Sequence, residues 1–242
     1  NFVLPTGLTQ TRYATAIEVI PGNSEIVHHV LVFMDTTNNA IDPNSPGGTG
    51  SAASILIYGY VPGAEPYFAP PGTGFRFPPN TRIIIQVHYG PGSNTQTDAT
   101  KVNFKLTATP QREIIVLPVL SHINLTNGPL SIPANTTKTS FQQRTIQGNW
   151  TALYAWPHMH LIGRSITTFA NKPNGDTIRF VDIPKWDFHW QMNYVFRNTV
   201  YIPHGSVMRA RAFYDNTLNN PYNPSNPPQN VTAGEGTNDE MM

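Results

Sequence analysis

Five of the eight histidines fall in three short apolar stretches. His28 and His29 lie in EIVHHVLVF, His88 in QVHY, and His158 and His160 in HMH. An imidazole in such a run needs a partner, because an unsatisfied buried polar group costs about 1–3 kcal/mol. A metal ion is one such partner. In a strand, residues i and i+2 point to the same face. His158 and His160 therefore form either a two-imidazole clamp for a metal or a pair of hydrogen-bonded surface histidines. His28 and His29 are adjacent, so an unbroken strand sends them to opposite faces. Both reach one ion only where the strand ends or bulges; otherwise one ligates and the other supports it or packs in the core. His88 on its own fits a ligand or a structural residue. His122, His189 and His204 lack such neighbours and read as structural or surface residues.

Neutral imidazoles suit zinc, copper, iron or nickel. The chain has no cysteine, which excludes disulfides, thiolate catalysis and Cys-ligated zinc or iron–sulfur sites. Few carboxylates neighbour the histidines, which argues against a non-haem iron site. The C-terminal Met241 and Met242 offer thioethers, which favour soft Cu(I).

The elements that must carry these residues are strands. Apolar residues do not recur at helical spacing, whereas short β-branched and aromatic runs closed by Pro, Gly and Asn occur throughout. Strands are expected within 12–22, 26–35, 54–63, 81–92, 102–110, 112–120, 151–163, 165–184, 193–205 and 207–216. Pro173–Asp176 is expected to make a hairpin turn, and the Asn/Pro-rich 217–236 an ordered surface loop. This spacing predicts an all-β fold of antiparallel sandwiches or barrels. The 242 residues suffice for two modest domains, 1–110 and 111–242, with a boundary near Pro110. Lys+Arg number 15 and Asp+Glu 14, so neither nucleic acid nor an anionic membrane is an expected partner. Charged residues make up only 12%, alongside 23 Pro and 18 Gly, a balance that fits a secreted or periplasmic β protein. No apolar run is long enough for a membrane-spanning helix.

Taken in order, HHVLVF, QVHYG, HMHLIG and TNDEMM, with PGTGFRF at 71–77, resemble the copper type II, ascorbate-dependent monooxygenases. Peptidylglycine α-hydroxylating monooxygenase and dopamine β-monooxygenase typify that family. The resemblance covers nearly the whole chain. It implies two tandem antiparallel jelly-roll-like β-sandwich domains with a cleft between them and one copper ion in each. His28, His29 and His88 would hold an electron-storing copper. His158, His160 and Met241 would hold the copper at which O2 binds and a substrate C–H bond is hydroxylated, with ascorbate or a similar reductant as co-substrate. Gln86 shares a strand face with His88 and would either hydrogen-bond ligands or substrate or simply face water. The substrate would be a small molecule or a peptide.

Several departures narrow this expectation. The family's disulfides have no counterpart here, which looks like a bacterial relative held together by packing alone. Peptidylglycine enzymes carry a substrate-binding arginine two residues before the His-x-His motif. That position is Trp156, which cannot bridge a carboxylate. Trp156 and Tyr154 would instead wall an apolar or ring-bearing substrate, or pack in the core. Two other readings stay open: a copper-binding or electron-transfer module without hydroxylase turnover, and a structural β-sandwich module whose histidines are incidental.

Overall fold

The computed structural model describes residues 1–37, 40, 54–90, 95–234 and 236–242. The chain is all-β and divides into two compact units, Asn1–Leu117 and Pro118–Met242. No described helix is long and apolar enough to cross a membrane.

The first unit contains β1 (Phe2–Pro5), β2 (Arg12–Ile20), β3 (Val27–Asp35), β4 (Ile55–Tyr60), β5 (Tyr67–Phe68), β6 (Thr73–Phe77), β7 (Arg82–Tyr89), β8 (Lys101–Thr107) and β9 (Arg112–Glu113). One antiparallel sheet runs β1-β7-β3-β4. The other runs β5-β2-β6-β9, with β8 also on β2. Burial follows the two-residue period: Val30, Val32 and Met34 of β3 are buried, whereas His29, Leu31 and Phe33 are half-buried. Ile17, Phe75 and Phe77 supply the buried face of the other sheet, as sheet-on-sheet packing requires.

The division between the units falls seven residues beyond the expected boundary near Pro110. Arg112 and Glu113 pair in parallel with Thr73 and Gly74 of β6, and the Ile114 N–H donates to the Gly74 carbonyl at 2.9 Å. These bonds tie 111–117 to the first unit. The expected strand over 112–120 shrinks to β9, and Ile115 and Leu117 are left exposed.

The second unit contains β10 (Ser131–Ile132), β11 (Thr136–Thr145), β12 (Trp150–Ala155), β13 (Gly163–Asn171), β14 (Thr177–Ile183), β15 (Tyr194–Ile202), β16 (Val207–Asn216) and β17 (Val231–Thr232). Its sheets are β11-β16-β13-β14, β12-β15 and β10-β17. The core gathers Leu130, Ile132, Met159, Ile162, Ile166, Trp186, Ala212, Tyr214 and Val231, with Met242 packed against it. The hairpin at Pro173–Asp176 forms as expected, with Gly175 at φ 91°. Asn side chains order the segment after β16. The Asn216 amide donates to the carbonyls of Ile132 and Gln229 at 2.9 and 2.7 Å, and Asn220 donates to the Asp215 carbonyl at 2.7 Å.

Candidate metal centres

In the first unit the adjacent histidines meet because β3 bulges. Val27 lies opposite Tyr89 and His29 opposite His88, so His28 is the extra residue between two paired positions. A bulge breaks the strict alternation of side chains, the condition under which both imidazoles can share an ion. The Nδ1 atoms of His28 and His29 are 3.1 Å apart. The ring of His88 lies 4.6 Å from that of His29 and 5.4 Å from that of His28, centroid to centroid. Three imidazoles thus cluster at the exposed end of the β3–β7 ladder. Two nitrogens bound to one ion at about 2.0–2.1 Å and at angles of 90–109° sit about 2.8–3.4 Å apart. The 3.1 Å spacing falls within that range, and it also suits a hydrogen bond between neutral rings. Gln86 lies opposite Leu31, two residues before His88 on the unbroken β7, so it shares the His88 face.

In the second unit His158 and His160 are also neighbours, but not on a strand. β12 ends at Ala155, and 156–162 is a loop leading into β13. Pro157 contributes no N–H to a ladder. The rings nevertheless lie 5.0 Å apart at 90°. What fixes them is the C-terminal segment. The backbone N–H of His160 donates to Oε1 of Glu240, and the Met241 N–H donates to the same oxygen at 3.0 Å. Two hydrogen bonds to one atom keep the amides of His160 and Met241 within about 6 Å of each other. Glu240 in turn bonds through its own backbone to Thr232 and Gly234, and Tyr214 Oη donates to the Met241 carbonyl at 3.0 Å. Met241 thereby joins the His-x-His loop although 80 residues separate His160 from Glu240.

Ring orientation is also set. His160 Nδ1–H donates to the Asp239 carbonyl at 3.1 Å, which leaves the Nε2 lone pair for a metal. This is the usual device for orienting an imidazole ligand. Phe188 stands edge-on to His160 at 6.2 Å. Gln191 hydrogen-bonds His158 and anchors its own amide on the Phe188 carbonyl at 2.6 Å. The glycine that opens β13 has a steric reason: a Cβ on Gly163 would sit 2.8 Å from that of Met159.

The electrostatics favour neutral rings. Burial, with His160 alongside, pushes His158 down to about 4, against the opposing Gln191 hydrogen bond. Burial also lowers His160 against the carbonyls of Asp239 and Gly236. Glu240 is fully buried, and that burial pushes its carboxyl up to about 7 despite the N–H groups of His160, Met241, Ile162 and Gly163. Neutral imidazoles offer their lone pairs to a cation without first losing a proton.

Among the described residues, no three His, Asp or Glu side chains could hold an ion as placed. Ring rotation would have to complete either set. The donors themselves fit copper: three imidazoles in the first unit, and two imidazoles beside a methionine in the second. Trp156 follows the last residue of β12 and is half-buried, as is Tyr154, which pairs opposite Val195. No known family model and no curated protein matches the chain.

Sequence reasoning overlooked Glu240, Gln191 and Phe188. Only the acidic residue beside the Met pair in NDEMM could have drawn attention to Glu240. It also set His122 aside. The structure ties His122 to the C-terminal segment, its backbone N–H donating to the Met242 carbonyl at 3.3 Å.

Proposed function

We propose that this chain is a dicopper monooxygenase that hydroxylates a C–H bond with O2 and an ascorbate-like donor. The observation that carries the reading is the β3 bulge. It brings the adjacent imidazoles of His28 and His29 together beside His88, where an unbroken strand would separate them. His28, His29 and His88 hold one ion; His158, His160 and Met241 hold the other. Copper, when bound, supplies one-electron redox chemistry and O2 activation. The chain's own part is to present neutral donors, to fix the His160 tautomer through the Asp239 carbonyl, and to clasp Met241 to the His-x-His loop through Glu240. Gln86 offers an amide on the His88 face, and Trp156 an indole beside the His-x-His loop, for substrate. With no guanidinium at position 156, an apolar or ring-bearing substrate fits better than a peptide carboxylate. A secreted or periplasmic setting goes with this chemistry.

The test is copper per chain after stripping, reloading with Cu(II) and desalting, followed by O2 uptake with ascorbate. About two coppers, falling to about one in His158→Ala, with substrate-dependent O2 uptake above free-copper controls, is the expected result. Two coppers without O2 uptake on a broad substrate panel would leave an electron-transfer module. One copper or none would sink the dicopper reading.

A further inference from the structure

The bulge at His28 is braced by a residue outside β3 and β7. Asp98, just ahead of β8, accepts three hydrogen bonds. Its Oδ1 takes the Asn23 backbone N–H at 2.9 Å, and its Oδ2 takes the Tyr89 hydroxyl at 3.0 Å and the Thr100 N–H at 3.2 Å. Asn23 carries the constraint into β3: its carbonyl accepts from the N–H groups of Ile26 and Val27 at 3.3 and 3.1 Å, and its side-chain amide donates to Gln96 Oε1 at 3.0 Å. The two segments also touch, because a Cβ on Gly22 would collide with the Ala99 backbone. On the other strand, Tyr89 pairs opposite Val27, and the Gly90 N–H donates to the Ile26 carbonyl at 2.8 Å. One carboxylate therefore holds both sides of the Val27–Tyr89 pair, the last pair before the extra residue His28. A bulge disrupts the ladder locally and leaves its extra residue unpaired, so the strands need another tie at that point.

We propose that Asp98 is a positioning residue for the His28/His29/His88 cluster. It ties the turn before β3 to the end of β7, and so fixes how the three imidazoles approach one another. His29 and His88 form the pair on the far side of the bulge, with ring centroids 4.6 Å apart, and His28 Nδ1 lies 3.1 Å from His29 Nδ1. These spacings hold only while the strands keep their places on both sides of His28. A carboxylate suits the task, since hydrogen bonds to an ionised acceptor are stronger than neutral ones. The effect on copper rests on the copper reading of this cluster; the effect on the rings does not.

The experiment uses the full chain with the second site disabled by His158→Ala, and compares this parent with added Asp98→Ala or Tyr89→Phe. Tyr89→Phe keeps the ring and removes only the hydroxyl donor, and thermal unfolding checks that each variant folds. In the metal-free proteins, amide exchange at Val27 and Gly90 should quicken about tenfold in Asp98→Ala, as for one lost hydrogen bond to a charged group, while Val30 and Val32 stay unchanged. The ring-nitrogen NMR signals of His28 and His29 should shift. A competition titration with Cu(II) should show the dissociation constant rising about tenfold in Asp98→Ala and less in Tyr89→Phe. Unchanged exchange or unchanged ring signals in the folded variants would overturn the positioning role, as would an unchanged dissociation constant where the parent binds copper. Shifted ring signals in a parent that binds no copper would uphold the brace and overturn the first copper site instead.

Discussion

Glu240 and His158 bend the stability of the second unit in opposite directions with pH, and Glu240→Gln should separate them. The buried carboxyl titrates near 7 in the folded chain against an ordinary value of 4.5. Between those values the folded state holds a proton that the unfolded state has released. Stability from Glu240 is therefore complete below about pH 4.5 and is lost as pH rises through 7. The shift corresponds to roughly 3 kcal/mol at 1.36 kcal/mol per pH unit. His158 runs the other way. Its value of about 4 against 6.5 leaves the folded ring neutral where the unfolded ring is charged, so its contribution is present above pH 6.5 and lost as pH falls through 4. From pH 4.5 to 6.5 the two slopes nearly cancel. In Glu240→Gln only the histidine slope survives. Urea unfolding of the metal-free chain at pH 4.5, 5.5, 6.5 and 7.5 measures this. The wild-type advantage over the variant should shrink by roughly 3 kcal/mol between pH 4.5 and 7. A constant offset is also expected, because an amide donor would face the N–H groups of Ile162 and Gly163. Parallel wild-type and variant profiles would refute the claim that Glu240 holds its proton through burial.

Other consequences can be checked more simply. Gln191→Leu removes the hydrogen bond that orients His158, and should weaken copper at the second site by about 10–100-fold while leaving the first unchanged in a site-resolved titration. Gly163→Ala forces a Cβ against Met159 and should destabilise the second unit by about 1–3 kcal/mol in chemical unfolding. His28→Ala should cost one copper per chain by elemental analysis, with the spectrum of the remaining ion matching that of the second site.

The strands that carry alternating apolar residues were legible in the sequence. β3 and β7 lie within their expected runs, and the β13–β14 hairpin turns at the expected tetrapeptide. β11 was not foreseen, because the side chains it buries are Ser140 and Gln142 rather than aliphatic residues, so it has no hydrophobic period to read. The expected strand over 151–163 stops at Ala155, since Pro157 cannot donate to a ladder and the HMHLIG loop bonds to the C-terminal segment instead. The histidine pairs were visible as residue types at suggestive spacing. The bulge at His28 is a fact of pairing with β7, and the partners of His160 are about 80 residues away. Long-range contacts of that kind leave no local trace in the chain. Glu240 illustrates the limit well: NDEMM shows an acidic residue beside two methionines, and only the fold reveals its side chain as buried.

The bulge at His28 has a further consequence for how such a site can arise or vanish. Beyond it the ladder is regular, with Val30 opposite Val87, Leu31 opposite Gln86 and Val32 opposite Ile85. Removing the one extra residue would let Val27 pair directly ahead of His29 without disturbing any of those partners. The grip of two adjacent imidazoles is thus encoded by strand length as much as by residue identity. A paired β ribbon can gain or lose it through a single-residue insertion or deletion, with the hydrophobic register that holds the sheet left as it was.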